Sequence, residues 1–151
     1  HHEVMRGAPD ADIVIMAPAV ADYTPVDVAA RKIAKSDGPM TLTLRRTPDT
    51  LAELGGLALR RTGSGPVLVG FAAETSDTVA KAEAKRRAKN VDLIVANDVS
   101  RPDAGFDVDT NAVTFIDEHG HQVIPLQSKS GVAARLLDRV EQLLSTRPVR
   151  A

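Results

Sequence analysis

The chain has 151 residues, 43% of them hydrophobic and only 3% aromatic, so it is long enough for one globular domain with a mainly aliphatic core. It has no cysteine, which excludes disulfides, thiolate metal sites and cysteine nucleophiles. Its net charge of −1 gives no general attraction to nucleic acid or an anionic membrane, and no apolar run approaches the ~20 residues that cross a bilayer, so a cytoplasmic protein with neither partner is expected.

Taken in chain order, the first half predicts a strand, a loop, a second strand and a helix. The apolar run at 13–16 is typical of a buried strand, whereas 19–36 has no clear period, which indicates a long loop. Alternating apolar and polar residues at 40–44 predict a half-buried strand. A helix should start at 47–49, where a threonine can cap it and a proline suits the first helical position.

The second half continues the alternation of strands and helices. Apolar runs at 67–71 and 93–96 predict two buried strands, with a helix from about 75 to 90 between them, and a hairpin comes next with strands at 112–116 and 122–125. An amphipathic terminal helix is marked by Val132, Leu136, Val140 and Leu143. We therefore predict an α/β fold, a three-layer Rossmann-like and mostly parallel sheet with a late antiparallel hairpin.

Lysine spacing is the clearest sign of a ligand site. Lys81, Lys85 and Lys89 recur every four residues on the predicted helix, and Lys32 and Lys35 lie in the loop after the first strand. A triphosphate needs several convergent cations, although such a stripe is more often a solvated surface. The chain lacks GxGxxG, Walker A, HExxH and GxSxG sequences, so the usual dinucleotide, zinc-hydrolase and serine-triad sites have no support. The residues alone thus indicate an anion site and leave the reaction open.

Four motifs, in order, resemble those of phosphopantothenoylcysteine synthetase. They are APAVADY at 17–23, KIAK at 32–35, VGFAAET at 69–75, and ANDVS at 96–100 with Gly105-Phe106 and Asn111 after it. Thr47-Pro48-Asp49 and Ser128-Lys129 are similar to further family segments. The resemblance extends over essentially the whole chain. It points to the CTP-dependent bacterial type, the carboxy-terminal synthetase domain of the bifunctional decarboxylase/synthetase of coenzyme A biosynthesis.

This resemblance implies a ligase that joins 4′-phosphopantothenate to L-cysteine. CTP would activate the carboxylate as an acyl-cytidylate and release pyrophosphate, and the amine of cysteine would then displace CMP. Magnesium would accompany the triphosphate. Such an enzyme mainly positions anions and neutralises developing charge, which lysines and backbone amides can do. A homodimer is also expected, with the hairpin at 112–125 as the candidate contact.

Carried over residue by residue, the resemblance implies a nucleotide site. Lys32 is expected to be the catalytic residue, acting on the triphosphate and the transition state. Asp22 would hold the cytidine with Phe71 packing against it, and Ala19 would lie beside phosphopantothenate. The full set expected to meet the nucleotide is Met16, Ala17, Pro18, Asp22, Lys32, Asp49, Thr50, Leu51, Ala52, Phe71, Lys85 and Lys89. No protein metal ligand is assigned, and Lys81 is expected to be a solvated surface residue.

Two departures from the family pattern bear on activity. Pro18 stands where the family more often has alanine, which removes a backbone N–H. The family's first strand, Gly-rich turn and following helix should precede His1. We therefore expect residues 1–151 to be a single synthetase domain without that segment, and by itself an incomplete enzyme. A fused flavin-dependent decarboxylase domain is expected in the parent chain, so FMN belongs there and not here.

Two other functions stay open. One is a nicotinamide-dependent oxidoreductase on a Rossmann-like sheet, which a GxGxxG sequence upstream would favour. The other is a non-catalytic module that binds a nucleotide or mediates oligomerisation.

Overall fold

The computed structural model describes residues 1–35, 37–61, 63, 65–99 and 108–147. Its elements in chain order are α1 (His2–Gly7), a 3₁₀ turn (Ala8–Asp10), β1 (Ile13–Met16), β2 (Tyr23–Pro25), β3 (Leu44–Arg46), α2 (Thr50–Gly55), α3 (Ala58–Arg61), β4 (Val67–Glu74), α4 (Thr78–Ala88), β5 (Leu93–Asp98), β6 (Thr110–Asp117), β7 (Gly120–Ser128) and α5 (Lys129–Ser145). The chain divides into two compact units, His1–Ala17 with Thr50–Ala151, and Pro18–Asp49. Among the described residues no helix combines the length and apolarity that crossing a membrane requires.

The first unit is built on a five-stranded sheet in the order β1-β4-β5-β6-β7. β1, β4 and β5 are parallel, whereas β6 and β7 continue the sheet as an antiparallel hairpin. The apolar runs at 13–16, 67–71 and 93–96 therefore form three neighbouring strands, as predicted. The prediction that the first of them is buried was wrong, because β1 is an edge strand in which Ile13 and Ile15 are exposed. The hairpin is longer than predicted, and β7 forms one edge of the sheet.

Helices cover both faces of this sheet. On β4, Leu68 belongs to the cluster covered by α1, α2 and α4, and Val69 belongs to the cluster covered by α5. The helix α5 contributes buried Val132, Leu136 and Val140, and Leu143, the fourth residue that predicts its apolar face, packs against this cluster half-buried. The α/β fold with a helix–sheet–helix arrangement is confirmed, because alternate side chains of each buried strand point to opposite helical layers.

Two glycines allow helix α2 to pack closely. A Cβ on Gly70 would stand 2.5 Å from Leu51 Cδ2, so the bare backbone of β4 accommodates the Leu51 side chain. A Cβ on Gly55 would stand 1.8 Å from the Lys89 carbonyl oxygen at the end of α4. There the Asn90 side chain donates from Nδ2 to the Gly55 carbonyl at 2.8 Å. These contacts hold α2 against both β4 and α4.

The second unit, residues 18–49, contains a two-stranded antiparallel ribbon in which Tyr23 pairs with Arg46 and Pro25 with Leu44. The ribbon has no buried core among its described residues. Its exposed large apolar side chains are Val20, Tyr23, Val26, Val28, Ile33, Met40, Leu42 and Leu44.

Three further local predictions were wrong, at residues 19–36, 40–44 and 47–49. The loop predicted at 19–36 contains β2, and the half-buried strand predicted at 40–44 is instead β3 at Leu44–Arg46. Leu42 is 57% exposed, because a ribbon of only two strands gives alternating residues no buried face. Helix α2 begins at Thr50, since the Thr47 hydroxyl donates to the Ala21 carbonyl at 2.7 Å.

Candidate active site at the carboxyl ends of the parallel strands

The carboxyl ends of β1, β4 and β5 lie at the same edge of the main sheet. In the register of the strands Met16 is beside Gly70, and Glu74 is beside Asp98. The strand β4 thus extends four residues beyond the end of β1. Ligands of parallel α/β sheets bind beyond this edge, so side chains near residue 74 are the first candidates for a site.

Lys85 reaches β4 from the helix α4. Its ammonium donates to the Phe71 carbonyl at 3.2 Å, and its side chain is half-buried. No carboxylate in the described part of the chain pairs with it. An ammonium has three N–H donors, so donors remain for an anionic ligand at the same place.

Lys81 lies one helical turn nearer the start of α4. Its Nζ is 3.0 Å from Ser76 Oγ and 3.8 Å from Glu74 Oε2. The Lys81 side chain is 46% exposed and that of Glu74 only 23%. The expectation that Lys81 is a solvated surface residue is therefore incomplete, because it is held at the end of β4. The VGFAAET segment contains Glu74, but nothing in the sequence alone indicates its pairing with Lys81.

The remaining nucleotide candidates of the first unit are spread along its helices and strands. Lys89 is the C-cap of α4, about 12 Å along the helix axis from Lys81 at 1.5 Å per residue. Leu51 is buried against Gly70, and Thr50 and Ala52 on either side of it are half-buried. The Phe71 ring packs with the cluster under α5. Met16 is half-buried and Ala17 exposed at the end of β1.

Five candidates belong to the second unit, and all five are exposed: Pro18, Ala19, Asp22, Lys32 and Asp49. Within this unit the Val20 N–H donates to the Pro18 carbonyl at 3.1 Å, which closes a three-residue turn. The Asp22 carbonyl accepts the Thr47 N–H at 3.0 Å.

Another side of α4 carries a separate charge cluster. Glu83 accepts hydrogen bonds from Arg86 at 3.0 Å and from Arg87 at 2.5 Å. The Arg86 bond, with a further contribution from Arg87, lowers the pKa of Glu83 from 4.5 to about 2. Arg87 points away from the lysine face, since it lies two residues from Lys85 on a helix with 3.6 residues per turn. This cluster supports α4 and takes no part in the candidate site.

Two further points concern the predicted ANDVS motif and metal binding. In the segment that begins with ANDVS and runs to Asn111, the residues Ser100, Gly105 and Phe106 lie outside the described part of the chain. Within the described ranges, no three His, Cys, Asp or Glu side chains stand close enough together to hold a metal ion.

Comparisons of the sequence with family models and with known proteins point to the same family. Residues 1–144 match the family described as DNA/pantothenate metabolism flavoprotein C-terminal domain. A relative in Bacillus subtilis (strain 168), the coenzyme A biosynthesis bifunctional protein CoaBC, is 48% identical over 133 residues, or 87% of this chain and 32% of the relative. The chain thus spans about a third of the length of this relative.

Solved structures agree with this family. The crystal structure of the C-terminal domain of CoaBC has a TM-score of 0.73 and 32% identity, and the match extends over 96% of this chain and 61% of that one. A mutant of Cab2 in complex with phosphopantothenate-cysteine has a TM-score of 0.66 over 95% of this chain and 50% of its own. At 17% identity the second likeness shows the fold alone.

Proposed function

The chain belongs to the family of the DNA/pantothenate metabolism flavoprotein C-terminal domain, and from that premise we propose that it is the nucleotide-binding part of a ligase joining 4′-phosphopantothenate to L-cysteine. The observation that carries the proposal is Lys85, a half-buried cation near the carboxyl ends of the parallel strands, where its ammonium donates a hydrogen bond to the Phe71 carbonyl. The 48% identical relative is named for coenzyme A biosynthesis, and a protein of the same fold was solved with phosphopantothenate-cysteine.

The proposed reaction has two steps. A carboxylate oxygen of 4′-phosphopantothenate attacks the α-phosphorus of CTP, which forms an acyl-cytidylate and releases pyrophosphate. The cysteine amine then attacks the acyl carbon, an amide forms, and CMP leaves. Both steps bring anions together, so the protein lowers the barrier chiefly by holding the reactants and stabilising negative charge.

Each part of this chemistry is assigned to residues of the chain. Lys85 and Lys89 bind the triphosphate from the helix α4, with the backbone at Asp49, Thr50, Leu51 and Ala52. Lys32 stabilises the charge that develops during attack on CTP. Asp22, Phe71 and the Met16-Ala17-Pro18 backbone hold the cytidine, and Ala19 lies beside phosphopantothenate. Magnesium would be held through oxygens of the triphosphate, which are the hard ligands that it prefers.

Lys32 can be tested against a neighbour of the same type. In the full-length protein that contains this chain, Lys32→Ala should abolish pyrophosphate release from CTP, whereas Lys35→Ala, in the same exposed loop, should leave most of it. Equal rates for Lys32→Ala and the unchanged protein would remove Lys32 from the mechanism. Circular dichroism of both variants checks that the fold is retained.

The substrates can be tested in the same assay. Pyrophosphate should appear only when CTP and 4′-phosphopantothenate are both present, and cysteine should then yield CMP. Reduction of a nicotinamide cofactor in place of pyrophosphate release would favour the oxidoreductase. Binding of CTP without turnover by the full-length protein would favour the non-catalytic module.

The domain extent is a further proposal. The chain matches 61% of the solved C-terminal domain. On the basis of the family resemblance we propose that a strand, a Gly-rich turn and a helix upstream complete the synthetase. A fused decarboxylase domain with FMN is proposed for the parent chain. The 151-residue chain alone should then bind CTP weakly and release no pyrophosphate. Turnover by this chain at the rate of the full-length protein would refute the need for the upstream segment.

A homodimer is proposed with the hairpin of β6 and β7 as the contact. β7 is an edge strand, and its Val123 side chain is 67% exposed. Val123→Glu should convert the dimer into monomers in sedimentation experiments. A monomeric unchanged protein would contradict the proposal.

A further inference from the structure

Glu74 and Lys81 form an ion pair at the carboxyl end of β4 that the proposed nucleotide site does not account for. Glu74 is the last residue of β4, and its carboxylate is more buried than the lysine that faces it. Lys81 Nζ is held 3.0 Å from Ser76 Oγ and 3.8 Å from Glu74 Oε2. Neither side chain belongs to the predicted nucleotide site, although Lys85 lies one turn after Lys81 on the same face of α4.

A carboxylate at this position opposes the binding of an anion. Side chains four residues apart on a helix have Cβ atoms about 6 Å apart, so a phosphate bound at Lys85 would lie within roughly one Debye length, ~8–10 Å, of the Glu74 charge. At that separation an unpaired carboxylate repels the phosphate appreciably, because the partly buried edge screens charges less than water does. An adjacent cation cancels most of this repulsion.

We propose that Lys81 is a positioning residue that neutralises Glu74, so that polyphosphate bound at Lys85 meets a pair with no net charge. The proposal rests on the nucleotide site proposed above and extends it to two residues. The hydroxyl of Ser76 fixes the ammonium on the side of the carboxylate. Lys81 itself does not contact the nucleotide.

Four variants of the full-length protein separate this role from direct binding. Lys81→Met should weaken CTP binding about three- to tenfold at low salt, with little effect on kcat, because one unpaired charge then faces the phosphates. High salt should reduce the difference. Glu74→Gln combined with Lys81→Met should return the affinity to within about twofold of the unchanged protein, and Lys81→Arg should retain it. The matched control is Arg87→Met, which removes one cation from the opposite side of α4 and should leave CTP affinity unchanged.

The double variant decides the proposal. If it binds CTP as weakly as Lys81→Met, Lys81 acts by touching the ligand or by supporting the fold, and neutralisation is refuted. An unchanged affinity in Lys81→Met also overturns it. Inorganic triphosphate serves as a second probe. If the variants rank in the same order of affinity for triphosphate while CTP does not bind, the neutralisation of Glu74 by Lys81 is supported and CTP as the nucleotide is overturned. Binding of neither probe by the unchanged protein would overturn both proposals.

Discussion

Replacing Gly55 with alanine tests how closely α2 is packed against α4. A Cβ at residue 55 would stand 1.8 Å from the Lys89 carbonyl oxygen and 3.1 Å from the Asn90 carbonyl oxygen. Both neighbours are backbone atoms, so neither can swing aside as a side chain could. To restore an ordinary contact of 3.4 Å, the end of α2 must move by about 1.6 Å.

The cost of this movement can be estimated from the contacts that it breaks. The hydrogen bond from Asn90 Nδ2 to the Gly55 carbonyl is lost, which costs about 0.5–1.5 kcal/mol. Leu51 and Leu54, both buried under α2, must repack, and overpacking of this kind costs about 1–3 kcal/mol. We therefore expect Gly55→Ala to lower the free energy of unfolding by about 2–4 kcal/mol.

Urea denaturation monitored by circular dichroism measures this change. The matched control is Gly7→Ala at the end of α1, where an added Cβ would meet nothing within 4 Å. Alanine is favoured over glycine in a helix by up to about 1 kcal/mol, so the control should be neutral or slightly stabilising. A free energy of unfolding for Gly55→Ala within about 0.5 kcal/mol of the unchanged protein would refute the close packing, since surface substitutions vary by that much.

Two further predictions concern charged side chains. Asp92 accepts from Arg60 at 2.7 Å and from Arg147 at 2.5 Å, and the Arg60 side chain is only 6% exposed, so Asp92→Ala should cost about 3 kcal/mol of unfolding free energy in urea. A loss as small as that of a surface substitution would contradict this. Glu83 has its pKa lowered to about 2 by Arg86, so its stabilising effect is complete above pH 4.5 and is lost as the pH falls towards 2. Glu83→Gln should therefore destabilise the protein at about pH 7 and have much less effect at about pH 2. Thermal unfolding at the two pH values measures this difference. An equal loss of stability at the two pH values would show that the charge of Glu83 is not responsible.

Much of the main sheet could be predicted because its signals are local. The short apolar runs that became β1, β4 and β5 are bounded by polar or turn residues, and the four-residue spacing in α5 leaves little ambiguity. The β2–β3 ribbon could not be predicted, since its pairing joins segments about twenty residues apart and buries no apolar face. The start of α2 was missed because the Thr47 hydroxyl binds a distant carbonyl, which no local pattern indicates.

The candidate site, too, could be predicted from the sequence only in part. Helical spacing correctly placed Lys81 and Lys85 on one face of α4. It could not indicate that Lys85 donates to Phe71 or that Lys81 faces Glu74, because both contacts depend on how α4 packs back onto β4. The roles of Lys32 and Asp22 come from family resemblance and stay predictions.

The most direct test of the proposed chemistry traces one oxygen atom. The full-length protein is given CTP, cysteine and 4′-phosphopantothenate whose carboxylate carries ¹⁸O, and the products are analysed by mass spectrometry. If the carboxylate attacks the α-phosphorus, one labelled oxygen must appear in CMP, because the acyl–oxygen bond breaks when the amine attacks. Label in inorganic phosphate together with CDP, or unlabelled CMP beside the amide, would contradict an acyl-cytidylate intermediate.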